Sequence, residues 1–76
     1  MTEVEARFAA TGHITVLSFK WQGRRYAVTS HGRQWEAADG RHLLVMTAGE
    51  RVFELAYEKI GGTWRMVRAP ADRSAA

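Results

Sequence analysis

The stretch that decides the fold is residues 13–28, "HITVLSFKWQGRRYAV". β-branched and aromatic residues dominate "HITVLSFKW", which is the composition of a β-strand. Gln22 and Gly23 interrupt this run, and glycine supplies the positive φ that a two-residue hairpin loop requires. The following segment, "RRYAVTS", again has strand character. We therefore predict a β-hairpin that turns at Gln22 and Gly23.

A two-residue loop also fixes which residues of the hairpin face each other. The six side chains predicted to share the apolar face are Leu17, Phe19, Trp21, Arg24, Tyr26 and Val28. Phe19 lies opposite Tyr26, a favourable cross-strand aromatic pair, and this pair indicates which face is buried. Lys20 lies opposite Arg25 on the other face, where two like charges repel each other.

Apolar residues recur at every second position in other parts of the chain as well, which predicts further strands. "EVEARFA" (3–9) is predicted as a first strand, although its alanines and glutamates also permit a short helix. "HGRQWEAADGR" (31–41) is predicted to extend "RRYAVTS", the second strand of the first hairpin, through Trp35. It is predicted to contain a bulge at Gly32 and a turn at Asp39 and Gly40. "HLLVMT" (42–47) is continuously apolar, which predicts a strand covered on both faces.

The C-terminal half contains a second predicted hairpin. "AGE" (48–50) turns the chain into "RVFELAYEK" (51–59), and Gly61-Gly62 is predicted as a two-residue loop leading into "TWRMVRA" (63–69). This register pairs Tyr57 with Met66, Lys59 with Trp64 and Glu58 with Arg65. The apolar side chains predicted to share one face are Phe53, Leu55, Tyr57, Trp64 and Met66.

These elements together predict an all-β fold of five to six antiparallel strands, built on hairpins and curled into a small half-open barrel or roll. Residues 1–69 form the predicted domain, and residues 70–76, "PADRSAA", are predicted to be a disordered tail. The chain has no cysteine. Stability must therefore come from packing or from a partner subunit.

The chain is basic, with a formal charge of +3 and a pI near 10.0, and most of its cations are arginines. The guanidinium group suits bidentate contacts with phosphate or carboxylate. The candidate residues for contact with an anion or a nucleic acid are Lys20, Arg24, Arg25, Arg33, Trp35 and Arg41. An alternative is that solvent and salt screen these charges, or that a carboxylate elsewhere in the chain offsets them.

The sequence does not predict an enzyme. His13, His31 and His42 are far apart in sequence and show no metal-ligand spacing, and Ser30 and His31 would point to opposite faces of a strand. Glu36 and Asp39, near Trp35, are a weak candidate for a carboxylate pair, because the sequence indicates no pocket around them. We expect no catalytic residues, no metal and no cofactor.

No secretory signal and no membrane-spanning apolar stretch is present in the sequence, so a cytoplasmic location is the expectation. We expect no membrane partner.

The pattern as a whole resembles a small bacterial domain family of unknown function. "FKWQGRRYAV", the later Trp35, "VFELAY" and "GGTWRMVR" carry the resemblance, which covers residues 4 to 69. The positions that match the family's motif are Trp21, Gly23, Arg24, Tyr26, Trp35, Glu54, Leu55, Gly62, Trp64 and Arg68. The family often has two tryptophans where this chain reads "RHLLVM". Its members occur alone or at the C-terminus of Y-family-polymerase-like mutagenesis proteins, which implies a DNA-repair or replication context.

The sequence therefore favours a non-catalytic interaction module that docks on a protein partner. Interspersed glutamates dilute the positive charge below what a dedicated nucleic-acid binder carries. The alternative is a weak, sequence-independent nucleic-acid binder in which the arginine-rich hairpin contacts phosphates and Trp35 stacks on a base. A homodimer formed through unpaired strand edges is a further alternative.

Overall fold

The computed structural model describes residues 2–70, and in that range every regular element is a β-strand. The strands are β1 (Val4–Phe8), β2 (Ile14–Trp21), β3 (Arg24–Ala37), β4 (Gly40–Thr47), β5 (Arg51–Glu58) and β6 (Thr63–Arg68). Each strand pairs antiparallel with the next, giving one six-stranded sheet in sequence order. The predicted all-β fold built on hairpins is confirmed. The predicted tail lies largely outside the described residues, since its positions 71–76 are not described.

The long strand β3 curls the sheet into a half-barrel. Its first residues pair with β2, and from Val28 onward it pairs with β4. This curl brings the two ends of the sheet near each other. The amide of Thr2 donates to the carbonyl of Trp64 at 3.0 Å. The ring of Phe8 lies 5.0 Å from that of Tyr57. The N-terminal segment thus contacts β5 and β6, but β1 and β6 form no paired ladder, which leaves the barrel half-open.

The core fills the inner face of the curled sheet. Its buried side chains come from β2, β4, β5 and β6 and are Ile14, Val16, Phe19, Leu43, Val45, Phe53, Leu55 and Trp64. Phe19 is fully buried and packs edge-on against Phe53, with 4.9 Å between ring centroids. β4 is covered mainly on this face, because Leu44 and Met46 on its other face are only half-buried.

The first hairpin has the predicted register. Phe19 faces Tyr26 with stacked rings 5.4 Å apart, and Lys20 faces Arg25. The prediction for Leu17 is wrong, because this side chain is 38% exposed. β1 pairs with Ser18 and then with Val16, skipping Leu17. This bulge reverses the alternation, so Val16 takes the buried position.

β3 does continue through Trp35, and its ladder to β4 is interrupted between His31 and Gln34, where the bulge at Gly32 was predicted. Where β3 leaves β2, side chains replace the lost backbone pairing. The amide of Gln34 accepts from the nitrogen of Ile14 at 3.3 Å and donates to the carbonyl of the same residue. His31 Nε2 lies 2.9 Å from the carbonyl oxygen of Val16. These contacts satisfy buried backbone groups of β2 that would otherwise lack partners.

The second hairpin does not have the predicted register. Tyr57 faces Trp64 and Glu58 faces Thr63, so the loop contains four residues, 59–62. The amide of Gly62 donates to the carbonyl of Glu58 at 2.8 Å and closes this loop. The observed register sets two aromatic rings 4.9 Å apart, whereas the predicted one set Lys59 against Trp64. The stability gained by pairing the two aromatic rings therefore exceeds the stability that a shorter loop would give. Because the shift is two residues, the predicted apolar face is unchanged.

The turn between β3 and β4 is displaced by one residue from the prediction. Ala37 pairs with Gly40, so Ala38 and Asp39 form the loop and Gly40 is the first residue of β4. In residues 2–70 there is no helix long and apolar enough to cross a membrane.

Candidate functional site

The six candidate contact residues fall into two separate groups. Lys20, Arg24 and Arg25 lie around the turn between β2 and β3, whereas Arg33, Trp35 and Arg41 lie near the turn between β3 and β4. β3 connects the groups, and at ~3.3 Å per residue they are roughly 30 Å apart along the strand. The fold therefore does not bring the six residues together into one surface.

Arg25, on the outer face of the first hairpin, has acidic side chains nearby from β1 and from the residue just before it. Arg25 donates to the hydroxyl of Ser18 at 2.8 Å, and that hydroxyl donates to Glu5 at 3.1 Å. The Arg25 guanidinium also lies 3.8 Å from the carboxylate of Glu3. These carboxylates offset the repulsion between Lys20 and Arg25. On the outer face, carboxylates elsewhere in the chain therefore balance this charge, which is one of the alternatives that the sequence leaves open.

Arg24 lies on the other face of the hairpin. It pairs with Trp21, in phase with Phe19 and Tyr26, so it belongs to the inner face at the open end of the half-barrel. Arg51 is in the equivalent position at the start of β5, in phase with the buried Phe53. Both arginines are exposed. They therefore stand at the rim of the barrel, where the apolar inner face meets solvent.

Between these arginines lies a groove of about 450 Å³, which we call the mouth groove. The lining residues used below are Trp21, Arg24, Tyr26, Arg51, Phe53 and Pro70. Trp21 and Tyr26 are half-buried and pack against the core. The groove thus has an aromatic floor with a guanidinium group on each side. Within residues 2–70, no ion pair with a carboxylate involves either arginine.

The opposite end of the half-barrel is electrically balanced. Arg41 is in phase with the buried Leu43 and pairs across the strands with Glu36, and its guanidinium lies 2.8 Å from the Glu36 carboxylate. Its side chain is 23% exposed. Each end of the barrel thus has arginine at an inner-face position. In the part of the chain that the structure describes, the arginine at this end forms an ion pair with a carboxylate, whereas those of the mouth groove do not.

Trp35 and Arg33 lie on the outer face near this second end. The Trp35 ring stacks on His42, with 5.4 Å between centroids and 29° between planes. The guanidinium carbon of Arg33 lies 5.4 Å from the centroid of the same ring. Trp35 therefore has stacking and cation–π neighbours within its own chain.

His42 forms the centre of a charged cluster on this outer face. Its Nδ1 lies 2.7 Å from Glu54 Oε2 and its Nε2 lies 2.8 Å from Asp39 Oδ1. Asp39 in turn accepts from Arg65. Only the protonated imidazolium can donate from both ring nitrogens. The hydrogen bonds to Glu54 and then to Asp39 raise the pKa of His42 above its ordinary value, against the opposing effect of burial.

The arrangement suits a structural imidazolium better than a catalytic base. Both nitrogens are engaged by carboxylates, so neither is free to accept a proton from a substrate. Glu36, the other half of the carboxylate pair considered from the sequence, is bound to Arg41 instead of approaching Asp39. No group of three or more side chains within residues 2–70 has the geometry to hold a metal ion.

The charged cluster predicts a pH dependence of stability. Because the folded-state pKa of His42 is raised above 6.5, its contribution is present below pH 6.5 and is lost as pH rises through the folded-state value. The pKa of Asp39 is lowered below 3.8, mainly by its hydrogen bond to His42, so its contribution is present above pH 3.8 and is lost as pH falls through the lowered value. The cluster therefore contributes most to the free energy of unfolding between pH 3.8 and pH 6.5.

We expect His42→Gln to lower the free energy of unfolding by about 2 kcal/mol near pH 5.5, because two charge-assisted hydrogen bonds are lost. Urea titrations of both proteins, at about pH 5.5 and about pH 9, measure this difference. The difference should shrink at the higher pH, where the imidazolium is lost from the wild type. His13 and His31 are present in both proteins and cancel. A difference that stays constant across this pH range would contradict the charged assignment.

Arg51 is the functional candidate that sequence reasoning missed. A signal was available, since Arg51 shares the two-residue period of Phe53, Leu55 and Tyr57, which form the apolar face. A charged residue at an inward-facing position at a strand end lies at the rim of a barrel. Its placement beside Arg24 depends on a contact between distant segments, which local patterns do not define.

Comparison of the chain with protein-family models, curated proteins and solved structures gives no match. The resemblance to the mutagenesis-associated domain family therefore stays a prediction.

Proposed function

We propose that this protein is a non-catalytic interaction module that docks on a protein partner at the mouth groove. One observation carries the proposal. Two exposed arginines stand over half-buried aromatic side chains, and residues 2–70 place no carboxylate in an ion pair with either of them. Arginine and aromatic side chains are the residue types that dominate binding energy at protein interfaces.

The distribution of charge favours a protein partner over nucleic acid. A phosphate backbone is neutralised by a series of cations along its path, and here the cations are divided between two ends of β3. On the outer face, Arg25 lies 3.8 Å from the carboxylate of Glu3, so its charge is already offset within the chain. Trp35, the candidate for stacking on a base, is already stacked on His42.

The charged cluster supports the non-catalytic part of the proposal. His42 is enclosed by Glu54 and Asp39 and is 8% exposed. Removing its proton would break hydrogen bonds that hold β4 to β5 and to the preceding turn. We infer that this cluster stabilises the outer face and takes no part in a reaction.

The cellular context is proposed from the sequence resemblance alone. A domain related to those at the C-terminus of Y-family-polymerase-like proteins would act in DNA repair or replication, in the cytoplasm, by contacting another protein of that system. Fold-level or family-level likeness supports such a context by association only.

The proposal is tested by capture of partners from the native organism on the full chain, followed by quantification of each captured protein. The double variant Arg24→Glu, Arg51→Glu should lose a partner that the wild type binds in stoichiometric amount. The control, Arg33→Glu with Lys59→Glu, reverses two charges outside the groove and should retain it. Circular dichroism confirms that both variants are folded. Capture of no protein by the wild type, or of nucleic acid alone, would overturn the proposal.

A further inference from the structure

Three arginines of the described surface lie beside a carboxylate: Arg25 beside Glu3, Arg41 beside Glu36, and Arg65 beside Asp39. Arg24 and Arg51 both line the mouth groove, and no ion pair within residues 2–70 involves either of them. Two guanidinium groups in one groove repel each other, and a bound carboxylate would reduce that repulsion.

The floor of the groove indicates a second feature of the ligand. Trp21 and Tyr26 pack against the core and also line the groove, whose exposed surface is otherwise mainly polar. A ligand's aromatic ring can stack on these two rings, because aromatic rings gain from offset or edge-on contact beyond the area they bury. Pro70 adds a rigid apolar wall on the side of β6.

The size of the groove restricts the ligand further. A volume of about 450 Å³ lies in the range of sites that enclose a small molecule or a few side chains. An extended peptide segment can place alternate side chains on the same side, with a carboxylate for each arginine and a ring between them. A nucleic-acid backbone would instead need a series of cations along its path, and Arg25 on the outer face already lies beside the carboxylate of Glu3.

We propose that the mouth groove recognises an acidic segment of the partner protein in which carboxylates flank an aromatic side chain. This inference deepens the proposed function and depends on it. Arg24 and Arg51 bind the carboxylates, and Trp21 and Tyr26 receive the aromatic ring. The neutral amide analogue of such a segment would keep the ring contact but lose the charge-assisted hydrogen bonds.

Nuclear magnetic resonance titration of the full ¹⁵N-labelled chain with end-blocked peptides tests this assignment. The probes are Glu-Ser-Phe-Ser-Glu, in which both carboxylates and the ring share one side of an extended chain, its neutral analogue Gln-Ser-Phe-Ser-Gln, and an oligothymidylate. The acidic peptide should shift the indole resonance of Trp21 and the amides of Arg24 and Phe53. It should bind at least tenfold more tightly than the neutral analogue, and added salt should reduce the difference.

The double variant Arg24→Gln, Arg51→Gln should remove this tenfold preference, while the control Arg33→Gln, Lys59→Gln should keep it. Equal binding of the two peptides, or tighter binding of oligothymidylate at the groove, would overturn the assignment. Asp72 lies two residues after Pro70 in sequence. If Asp72→Asn tightens binding of the acidic peptide, the chain's own tail competes for the groove and the assignment to a partner is overturned; unchanged affinity supports it.

Failure of this inference is distinguishable from failure of the proposed function. If capture of a partner depends on Arg24 and Arg51 while the acidic peptide shows no preference, the docking function stands and the ligand chemistry is wrong. If the acidic peptide binds as expected but no protein is captured, the groove recognises a smaller acidic ligand and the docking function is wrong.

Discussion

Gly40→Ala is expected to destabilise the protein by about 3 kcal/mol or more. Gly40 begins β4 with φ at +133°, a conformation that residues with a side chain rarely adopt. A Cβ at this position would lie 2.3 Å from the carbonyl oxygen of Tyr57. Because that atom belongs to the backbone of β5, it cannot move aside without separating the two strands.

Gly49→Ala is the matched control for this prediction. Gly49 also has a positive φ, +81°, but a Cβ there would meet no atom within 4 Å. Its substitution should cost about 1 kcal/mol, from backbone strain alone. Urea titration of both variants measures the difference. Equal losses would show that β4 and β5 do not approach as closely at Gly40 as the structure indicates.

Phe19→Ala is expected to cost about 3–5 kcal/mol, because it leaves a cavity in the centre of a small core. Phe19 is 0% exposed, and its ring contacts those of Tyr26 and Phe53. A domain of this size has a total stability of roughly 5 kcal/mol. The variant should therefore be largely unfolded without denaturant, and the floor of the mouth groove should be lost with it.

Phe8→Ala makes the same chemical change at a side chain that is 54% exposed. It should cost about 1 kcal/mol, since Phe8 contacts Tyr57 and Trp64 from the open side of the barrel. Phe19→Leu, which fills part of the cavity, keeps the loss measurable if Phe19→Ala does not fold. If both alanine variants lose the same stability by urea titration, Phe19 is not the centre of the core.

The two hairpins show what local sequence determines. Gln22-Gly23 permits one short turn, and the observed register follows from it. Gly61-Gly62 permits the same turn, but pairing Tyr57 with Trp64 yields a better aromatic contact and leaves Ile60 fully exposed in a longer loop. Turn residues therefore predict a register only when the side-chain pairs on both strands agree with it.

The remaining errors come from contacts between segments far apart in sequence. The bulge at Leu17 exists because β1 pairs beside it, and no residue within "TVLSF" signals an extra position. The sequence groups Arg24 with Lys20 and Arg25 as contact candidates, although the register places it on the inner face and the other two on the outer face. Its actual neighbour across the groove, Arg51, is 27 positions away, and only the curl of the sheet brings the two together.

Hydrogen exchange of the full chain, alone and bound to its captured partner, locates the docking surface residue by residue. If the partner docks at the mouth groove, binding should slow exchange at the amides of residues 22–24 and 51–53. Exchange near Trp35 and Arg41, at the opposite end of β3, should be unchanged. Protection confined to that opposite end would show that the partner does not dock at the mouth groove.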